Sequence, residues 1–366
     1  MATPRSGFGL RVHAASPAAG HGHRGGAPGR RIAGLALLVL CLCGTGGCAA
    51  ISSWAAVQRM GGPEDPRRWL KPPDAPVQPD AVLRVEVGGD LSDGVDGVDG
   101  VDGVDGVDGV VIVADAFDAF DAPATDAAHA TAAAGTAVLL HGLYENRRHP
   151  DLARWRAALQ DDGWDVVAPD LRGHGASGGA TLGWGRIDAQ DLAALLDHIE
   201  AGRGEPERVL VVGFSYGGIA ALHWMAGDPR IDAAVTLAAP ADPLETLPMF
   251  VRRWTGSLSW LTTSGRLRGA FANRLRDTGV DPAALPAESL AGRFAGRPVL
   301  LLHGDADRLA PPDHAGRWAR AIGPSATAVL LEGQRHSSIA WFRGEALERA
   351  RGFWREHAVE TPGAGG

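Results

Sequence analysis

Cysteine is almost absent from this sequence of 366 residues. Its cysteines, Cys41, Cys43 and Cys48, all lie close together near the N-terminus. The rest of the chain therefore cannot form internal disulfides, cysteine-ligated zinc sites or a thiol nucleophile. A body without cysteine suits an oxidising compartment, where free thiols would be at risk.

Lysine is equally scarce, since Lys71 is the only one and all other basic side chains are arginine. No block of basic residues occurs, and the formal net charge is −8. The composition therefore gives no support to nucleic-acid binding. Hydrophobic residues make up 45% of the chain, which is enough to build one large core or two smaller ones.

No apolar run reaches the roughly 20 residues that a membrane-spanning helix needs. Instead, residues 1–31 carry arginine and no acid, residues 32–43 are apolar, and small residues lead to Cys48. This pattern is typical of a secretory signal, and we expect residues 1–47 to be the signal peptide. Residues 48–80 are rich in proline, which predicts an extended tether before a domain at 81–366.

Cys48 directly after Gly47 resembles a bacterial lipoprotein signal, in which this cysteine is lipidated and becomes the mature N-terminus. One departure is Thr45, which stands where such signals carry a large aliphatic residue. The resemblance implies export to the cell envelope and attachment to a membrane surface through a lipid anchor. Retention as a signal anchor and plain secretion remain the alternatives.

The triplet Asp-Gly-Val repeats between residues 93 and 110. We expect a low-complexity loop here, which joins a first strand at Ala81–Val87 to a second at 110–113 in a hairpin. The Ala- and Asp-rich stretch 114–135 is expected to continue as loop. The aspartates leave a calcium site as an alternative, although their spacing fits no known calcium loop. Too few triplets and no proline argue against collagen.

From residue 136 onward, short apolar runs alternate with helical patterns. Such alternation predicts a parallel sheet that is covered by helices on both faces. A long interval at about 241–296 separates the strand ending near Leu237 from the next one, and it contains several large apolar residues. We expect a cap over the carboxyl edge of the sheet, with a helix packed on the sheet as the alternative. The predicted strands of this region are 137–140, 164–168, 209–212, 233–237, 299–302 and 328–331.

Ser215 lies in the sequence Gly-Phe-Ser-Tyr-Gly, between the strand 209–212 and a helical run. A serine on a sharp turn from strand to helix is raised above the sheet edge as a nucleophile. Gly213 and Gly217 are expected because side chains there would collide across the turn. The turn also places the Tyr216 N–H at the start of a helix, where it can stabilise an oxyanion.

His141 and Gly142 end the strand 137–140, and the turn there can direct the Leu143 N–H to the same point as the Tyr216 N–H. We expect His141 itself to be structural. Two donors from separate loops, Leu143 and Tyr216, would then form an oxyanion hole.

A serine nucleophile needs a base, and the base needs an acid that holds its tautomer. His336 follows the last strand and Asp307 follows the strand 299–302, so both fall at the same sheet edge. Asp305 and Asp242 remain rival candidates for the acid. His303 and the turn at residues 170–175 are interpreted as structural.

Five segments carry a resemblance to a known superfamily: HGLYENR at 141–147, PDLRGHGASGG at 169–179, GFSYGG at 213–218, HGDADRLAPP at 303–312 and GQRH at 333–336. With the chain order Ser, Asp, His, residues 136–355 resemble the α/β-hydrolases. Within them, the chain is similar to serine-aminopeptidase (S33) and lysophospholipase-like bacterial hydrolases. The resemblance implies a mostly parallel sheet flanked by helices with a small cap. Arg335 departs from the glycine that more commonly precedes the histidine.

Applied to the matching positions of this sequence, the resemblance implies a triad of Ser215, Asp307 and His336, with Leu143 and Tyr216 as oxyanion donors. Such a triad transfers an acyl group to water through an acyl-enzyme and requires no metal or cofactor. We expect a carboxylesterase or lipase-like hydrolase acting on a small acyl substrate, because Trp254, Trp260 and Phe271 make the cap apolar.

A serine peptidase, perhydrolase chemistry on the same triad and a non-catalytic surface scaffold of the same fold remain alternatives to the esterase. The sequence does not predict an oligomeric state.

Overall fold

The computed structural model describes residues 79–87, 110–118, 134–179, 181–255, 263–336, 338 and 344–359. The predicted signal peptide 1–47, Cys48, nearly all of the tether and the Asp-Gly-Val repeat before Val110 lie outside these residues.

Strands from the whole described chain join in one sheet. Their bounds are β1 Ala81–Val87, β2 Val110–Phe117, β3 Gly135–Leu140, β4 Trp164–Pro169, β5 Val209–Phe214, β6 Ala233–Leu237, β7 Val299–Gly304 and β8 Ala326–Leu331. The strand order is β1-β2-β4-β3-β5-β6-β7-β8, and only β2 runs antiparallel to its neighbours. The predicted mostly parallel sheet and the hairpin pairing of β1 with β2 are confirmed.

Helices cover both faces of this sheet. Their bounds are α1 Pro150–Asp161, α2 Arg186–Arg203, α3 Tyr216–Gly227, α4 Pro243–Thr255, α5 Ser264–Asp277, α6 Asp313–Ile322 and α7 Glu345–Val359, with 3₁₀ turns at Pro282–Ala284 and Ala287–Leu290. α1 and α7 pack on one face and α2, α3, α5 and α6 on the other. Successive side chains along a strand point to opposite faces of the sheet, so they contribute in turn to the hydrophobic core on each face. None of the helices in the described ranges is long and apolar enough to cross a membrane.

The expectation that a loop begins at residue 114 is wrong, because β2 continues to Phe117. Its last four residues pair with β4, and three of them also pair with β1. An aspartate is uncommon inside a strand, and Asp115 is therefore the reason that the sequence pattern did not predict this part of β2. The side chain is buried, and its charge is neutralised by Arg148 Nε at 2.7 Å and Arg147 Nε at 2.9 Å.

The segment predicted to be a cap contains α4, α5 and both 3₁₀ turns. α4 lies beside the carboxyl end of β5, where Thr246, Leu247 and Phe250 face Ser215 across a cleft. Phe271 of α5 is buried in the core and is not a cap surface. The Trp254 side chain and Trp260 lie outside the described residues.

Candidate active site

Ser215 lies at the junction of β5 and α3 with φ 50° and ψ −106°, in the left-handed region that side chains rarely adopt. The backbone N–H of Ser215 donates to the Leu237 carbonyl of β6 at 2.8 Å. A Cβ at Gly213 would lie 2.3 Å from the Gly217 carbonyl oxygen, and a Cβ at Gly217 would lie 2.5 Å from the His141 carbonyl oxygen. Both glycines are therefore required by close backbone approach.

The structure brings Ser215, His336 and Asp307 together from three separate loops. Ser215 Oγ lies 2.8 Å from His336 Nε2, and His336 Nδ1 lies 2.7 Å from Asp307 Oδ2. The side chain of Asp307 has no exposed surface, whereas that of His336 is 17% exposed. A hydroxyl, an imidazole and a buried carboxylate in this order can pass a proton from the serine to the histidine.

Asp307 stays ionised although it is buried. Burial opposes its charge, but hydrogen bonds with His303 and His336 and from the Ala310 N–H outweigh burial and hold the pKa of Asp307 well below its ordinary value. Asp307 Oδ1 also accepts the N–H of Leu309 at 2.8 Å. One carboxylate oxygen is thus bound by the backbone, and the other is left to face His336.

The other candidate groups make different contacts. Asp305 accepts the Gly333 N–H at 2.7 Å, and Asp242 accepts the Leu244 N–H at 2.8 Å at the start of α4. His303 Nε2 lies 2.8 Å from the Ala310 carbonyl oxygen and 3.4 Å from Asp307 Oδ2. His303 therefore helps to hold the Asp307 carboxylate in place.

The turn at residues 170–175 is also held by its own contacts. Asp170 is buried and accepts the backbone N–H groups of Arg147 at 2.7 Å and Ala176 at 2.5 Å. It also pairs with the guanidinium of Arg147. These contacts tie the loop after β4 to the loop after β3.

His141 sets the direction of the Leu143 N–H. Its Nε2 accepts the Leu171 N–H at 3.0 Å, so Nδ1 must carry the proton and donate to the Gly142 carbonyl at 2.8 Å. Burial lowers the pKa of His141 to about 4, so the ring is neutral at neutral pH, as this tautomer requires. In a trans peptide the carbonyl and the next N–H point in opposite directions. Holding the Gly142 carbonyl on His141 therefore turns the Leu143 N–H away from that ring.

The Tyr216 N–H is the second predicted donor. Tyr216 is the first residue of α3, where N–H groups have no acceptor within the helix. In the described part of the chain, neither this N–H nor that of Leu143 donates to another protein group. Both residues line the cleft beside Ser215, as an oxyanion hole requires.

The sequence analysis missed two residues that support Tyr216. The Tyr216 hydroxyl donates to Asp188 Oδ2 at 2.7 Å and accepts the Trp184 N–H at 3.0 Å. Asp188 also accepts the Gly185 N–H at 2.8 Å at the start of α2. An aspartate in the first turn of a predicted helix is a capping signal, which could have singled out Asp188. No comparable local signal marks Trp184.

The cleft over Ser215 is narrow and mainly apolar, with a volume of about 30 Å³. No carboxylate lines it among the described residues. Nor do three or more His, Cys, Asp or Glu side chains gather as metal ligands would anywhere in the described ranges. The lining residues are Leu143, Trp184, Ser215, Tyr216, Ile219, Pro240, Thr246, Leu247, Phe250, Leu309 and His336.

Known proteins resemble the chain in sequence and in fold. Lipase LipV of Mycobacterium tuberculosis is 38% identical over 34% of this chain and 45% of its own length. A pimeloyl-[acyl-carrier protein] methyl ester esterase of Chromobacterium violaceum is 32% identical over 44% of this chain and 72% of its own. The chain thus spans less than half of the first relative. The esterase Pf2001 of Pyrococcus furiosus superposes with a TM-score of 0.54 at 18% identity, covering 75% of this chain and 92% of that one.

A family model also matches the sequence. The model described as the alpha/beta hydrolase family matches residues 137–352. This range begins in β3, contains Ser215, Asp307 and His336, and ends in α7. The chain therefore belongs to the alpha/beta hydrolase family.

Proposed function

We propose that this protein is a serine carboxylesterase that cleaves small acyl esters through a covalent acyl-enzyme. The observation that carries the proposal is the continuous chain of hydrogen bonds from Ser215 through His336 to Asp307, at 2.8 Å and 2.7 Å. A single water molecule needs about 10–15 Å³. The cleft of about 30 Å³ therefore favours a short acyl group over a long fatty chain.

The first half of the reaction acylates Ser215. His336 Nε2 takes the hydroxyl proton while Ser215 Oγ forms a bond to the ester carbonyl carbon, and Asp307 stabilises the imidazolium. The carbonyl oxygen becomes an oxyanion that accepts the N–H groups of Leu143 and Tyr216. The bond to the leaving oxygen then breaks, and His336 gives its proton to the alcohol.

The second half releases the acid. His336 removes a proton from water, the resulting hydroxide attacks the acyl carbon, and a second oxyanion forms in the same place. This intermediate collapses by breaking the bond to Ser215 Oγ, which recovers its proton from His336. The products are a carboxylic acid and an alcohol, and the enzyme returns to its starting state.

The relatives and the cleft lining both favour an ester over a peptide. The two relatives in sequence are named as a lipase and a methyl ester esterase. An aminopeptidase would need a negative group for the free amino terminus of its substrate, and no carboxylate lines the described cleft. The finer similarity to S33 peptidases and lysophospholipases rests on the sequence motifs alone.

Labelling and turnover test the proposal together. Protein expressed from residue 49 would be treated with a fluorophosphonate probe and with p-nitrophenyl acetate, butyrate and octanoate, and compared with Ser215→Ala. We expect labelling, and turnover that is fastest for the short esters, and we expect Ser215→Ala to lose both. Hydrolysis of aminoacyl-anilides in preference to esters would favour the peptidase. Folded protein that neither reacts with the probe nor cleaves any substrate would favour the scaffold.

We further propose that Cys48 carries a lipid anchor that holds this domain on a membrane surface of the cell envelope. The support is the run of small residues before Cys48, the apolar segment before them and the proline-rich stretch after them. Mass spectrometry of the mature N-terminus tests it. A diacylated Cys48 is expected, and an unmodified Cys48 in an uncleaved chain would contradict it.

A further inference from the structure

Glu145 lies in the loop after β3 and binds the residue that directly precedes an oxyanion donor. Its carboxylate oxygen Oε2 accepts the Gly142 N–H at 2.9 Å. Its own backbone N–H donates to the Gly142 carbonyl at 3.1 Å. Glu145 thus binds both polar groups of Gly142, which is followed in the chain by Leu143 and its N–H.

The turn that these contacts close is strained. Tyr144 lies at its third position with a φ of 71°, a left-handed value that is adopted mostly by glycine. Such a conformation persists only where the surroundings impose it. A hydrogen bond from a backbone N–H to a charged carboxylate is stronger than one between two neutral groups. The Glu145 side chain therefore helps to hold closed a turn that its backbone bond alone holds less firmly.

The Glu145 carboxylate is oriented by its two neighbours. A Cβ at Gly142 would lie 3.0 Å from Oε2, so a residue with a side chain would crowd the carboxylate at this position. The other oxygen, Oε1, lies 3.9 Å from Nε2 of His149, the N-cap residue of α1. Glu145 does not itself line the cleft over Ser215. It can therefore act on the reaction only through the loop that it holds.

His141 and Glu145 hold Gly142 from its two ends. The ring of His141 donates to the Gly142 carbonyl, and the Glu145 carboxylate accepts the Gly142 N–H. With its carbonyl alone held, the backbone of Gly142 could still rotate, because no side chain restricts it. The Glu145 carboxylate removes this freedom. Since the peptide between Gly142 and Leu143 is planar, the direction of the Leu143 N–H is then fixed as well.

We propose that Glu145 is a positioning residue of the oxyanion hole, whose carboxylate holds Gly142 so that the Leu143 N–H stays directed at the developing oxyanion. This inference rests on the esterase function proposed above, because it concerns the same reaction. Donors stabilise an oxyanion best when they are already in place before the charge forms. Loss of the carboxylate should therefore weaken binding of the transition state more than binding of the substrate, which lowers kcat with little change in KM.

The test compares three variants in the hydrolysis of p-nitrophenyl butyrate, with kcat expressed per Ser215 titrated by a fluorophosphonate. Glu145→Gln keeps an acceptor oxygen at the same reach without the charge, Glu145→Asp keeps the charge on a shorter side chain, and Glu145→Ala loses both. We expect the Ala and Asp variants to lower kcat about tenfold with KM within about twofold of the wild type, and Glu145→Gln to stay within about threefold. Full kcat in Glu145→Ala, or a loss in the Gln variant with none in the Asp variant, would overturn the proposal.

A transition-state analogue separates a misdirected N–H from a general defect of the loop. Propyl trifluoromethyl ketone binds when Ser215 Oγ adds to its carbonyl carbon and His336 takes the serine proton, which leaves the former carbonyl oxygen as an oxyanion. The inhibition constant of this ketone should rise in Glu145→Ala by about the factor by which kcat/KM falls. An unchanged inhibition constant in a variant with lowered kcat/KM would contradict the proposal.

A double variant tests whether Glu145 and His141 act on the same peptide. We expect His141→Phe to lower kcat by about 10²-fold. Because both side chains hold Gly142, the loss in the double variant with Glu145→Ala should stay near about 10²-fold and not reach the roughly 10³-fold product of independent effects. A fully multiplicative loss would contradict a shared target.

Asp281→Ala is the matched control, because Asp281 Oδ1 likewise accepts a backbone N–H, that of Ala283 at 3.0 Å, in a turn that does not line the cleft. It should leave kcat, KM and the inhibition constant as in the wild type. A loss of kcat as large as that of Glu145→Ala would overturn the proposal. Absence of turnover dependent on Ser215 in the wild type refutes the esterase function, whereas full kcat per titrated site in Glu145→Ala refutes only the role of Glu145.

Discussion

At the scale of single residues, Asp307 depends on four neighbouring groups to remain charged in a fully buried position. The N–H groups of Leu309 and Ala310 bind one carboxylate oxygen, and His303 and His336 lie at the other. This division determines which oxygen faces His336. It also explains why Asp305, only two residues away but bound to Gly333, cannot replace Asp307 without rebuilding the loop.

Replacing this carboxylate tests its role. We expect Asp307→Asn to lower kcat by about 10³–10⁴-fold, because an amide can hold His336 in the tautomer that cannot accept the serine proton. Steady-state hydrolysis of p-nitrophenyl butyrate measures the effect. Asp305→Asn is the control and should stay within about threefold of the wild type. Similar losses in both variants would contradict the assignment of Asp307.

His141 is a positioning residue, since it acts on the reaction only through the peptide between Gly142 and Leu143. We expect His141→Phe, which removes the donor to the Gly142 carbonyl, to lower kcat by about 10²-fold while KM changes little. The control is His198→Phe, at an exposed position on α2. Circular dichroism would verify folding. A raised KM with kcat unchanged would indicate lost substrate binding instead of a misdirected N–H.

At the scale of elements, the junction of β5 and α3 is packed tightly against the end of β3. The first turn of α3 approaches the end of β3 so closely that a Cβ at Gly217 would lie 2.5 Å from the His141 carbonyl oxygen and 2.7 Å from that of Leu140. Nothing lies within 4 Å of a Cβ at Gly227, the last residue of the same helix. The helix is therefore fixed at the end that carries the Tyr216 N–H.

This contrast leads to a matched pair of variants. We expect Gly217→Ala to lower the free energy of unfolding by about 1–3 kcal/mol and to reduce kcat, because the helix must shift away from β3. Gly227→Ala should alter stability by no more than about 1 kcal/mol and leave kcat unchanged. Urea unfolding and ester hydrolysis provide the two readouts. Equal destabilisation at both positions would refute the packing argument.

At the scale of the whole molecule, Asp162 joins parts of the chain that are far apart in sequence. It follows α1 and accepts hydrogen bonds from Arg351, Trp354 and Arg355 of α7, all between 2.6 and 3.0 Å. Burial opposes its charge, but these donors outweigh burial and lower the pKa of Asp162 below its ordinary value. The contact holds α7 on the sheet, beside the ring of Trp155.

The lowered pKa gives this contact a defined pH dependence. A carboxyl with a lower pKa in the folded state stabilises the fold above its unfolded pKa of about 3.9, and this stabilisation is lost as pH falls through the folded value. We expect Asp162→Asn to lower the free energy of unfolding by about 2 kcal/mol at pH 7. We expect this difference from the wild type to narrow only below about pH 4. Urea unfolding from pH 7 to 3.5 measures it.

The neighbouring exposed carboxylate supplies the control for that experiment. Asp161 ends α1 one residue earlier, and Asp161→Asn should alter stability by less than about 0.5 kcal/mol at every pH. A gap between wild type and Asp162→Asn that stays constant down to pH 3.5 would show that the charge of Asp162 does not matter to the docking of α7.

The sequence by itself determined the alternation of strands and helices, the turn at Ser215, and the presence of Asp307 and His336 after neighbouring strands. These features are local, since apolar runs and glycine spacing depend on a few consecutive residues. The part of β2 that contains Asp115 was not predicted, because it depends on residues that are distant in sequence. A buried charge inside a strand is explained only by Arg147 and Arg148, which lie more than 30 residues away in the chain.

Only the tertiary structure decided the width of the cleft, the tautomer of His141, and the placement of Trp184 and Asp188 around Tyr216. Each depends on contacts between segments that are distant in sequence, as the bond between Trp184 and Tyr216 across 32 residues illustrates. A tryptophan in a glycine-rich loop has no local pattern that reveals which groups will surround it. The position of Trp184 against Tyr216 and over Ser215 became apparent only when folding had brought these segments together.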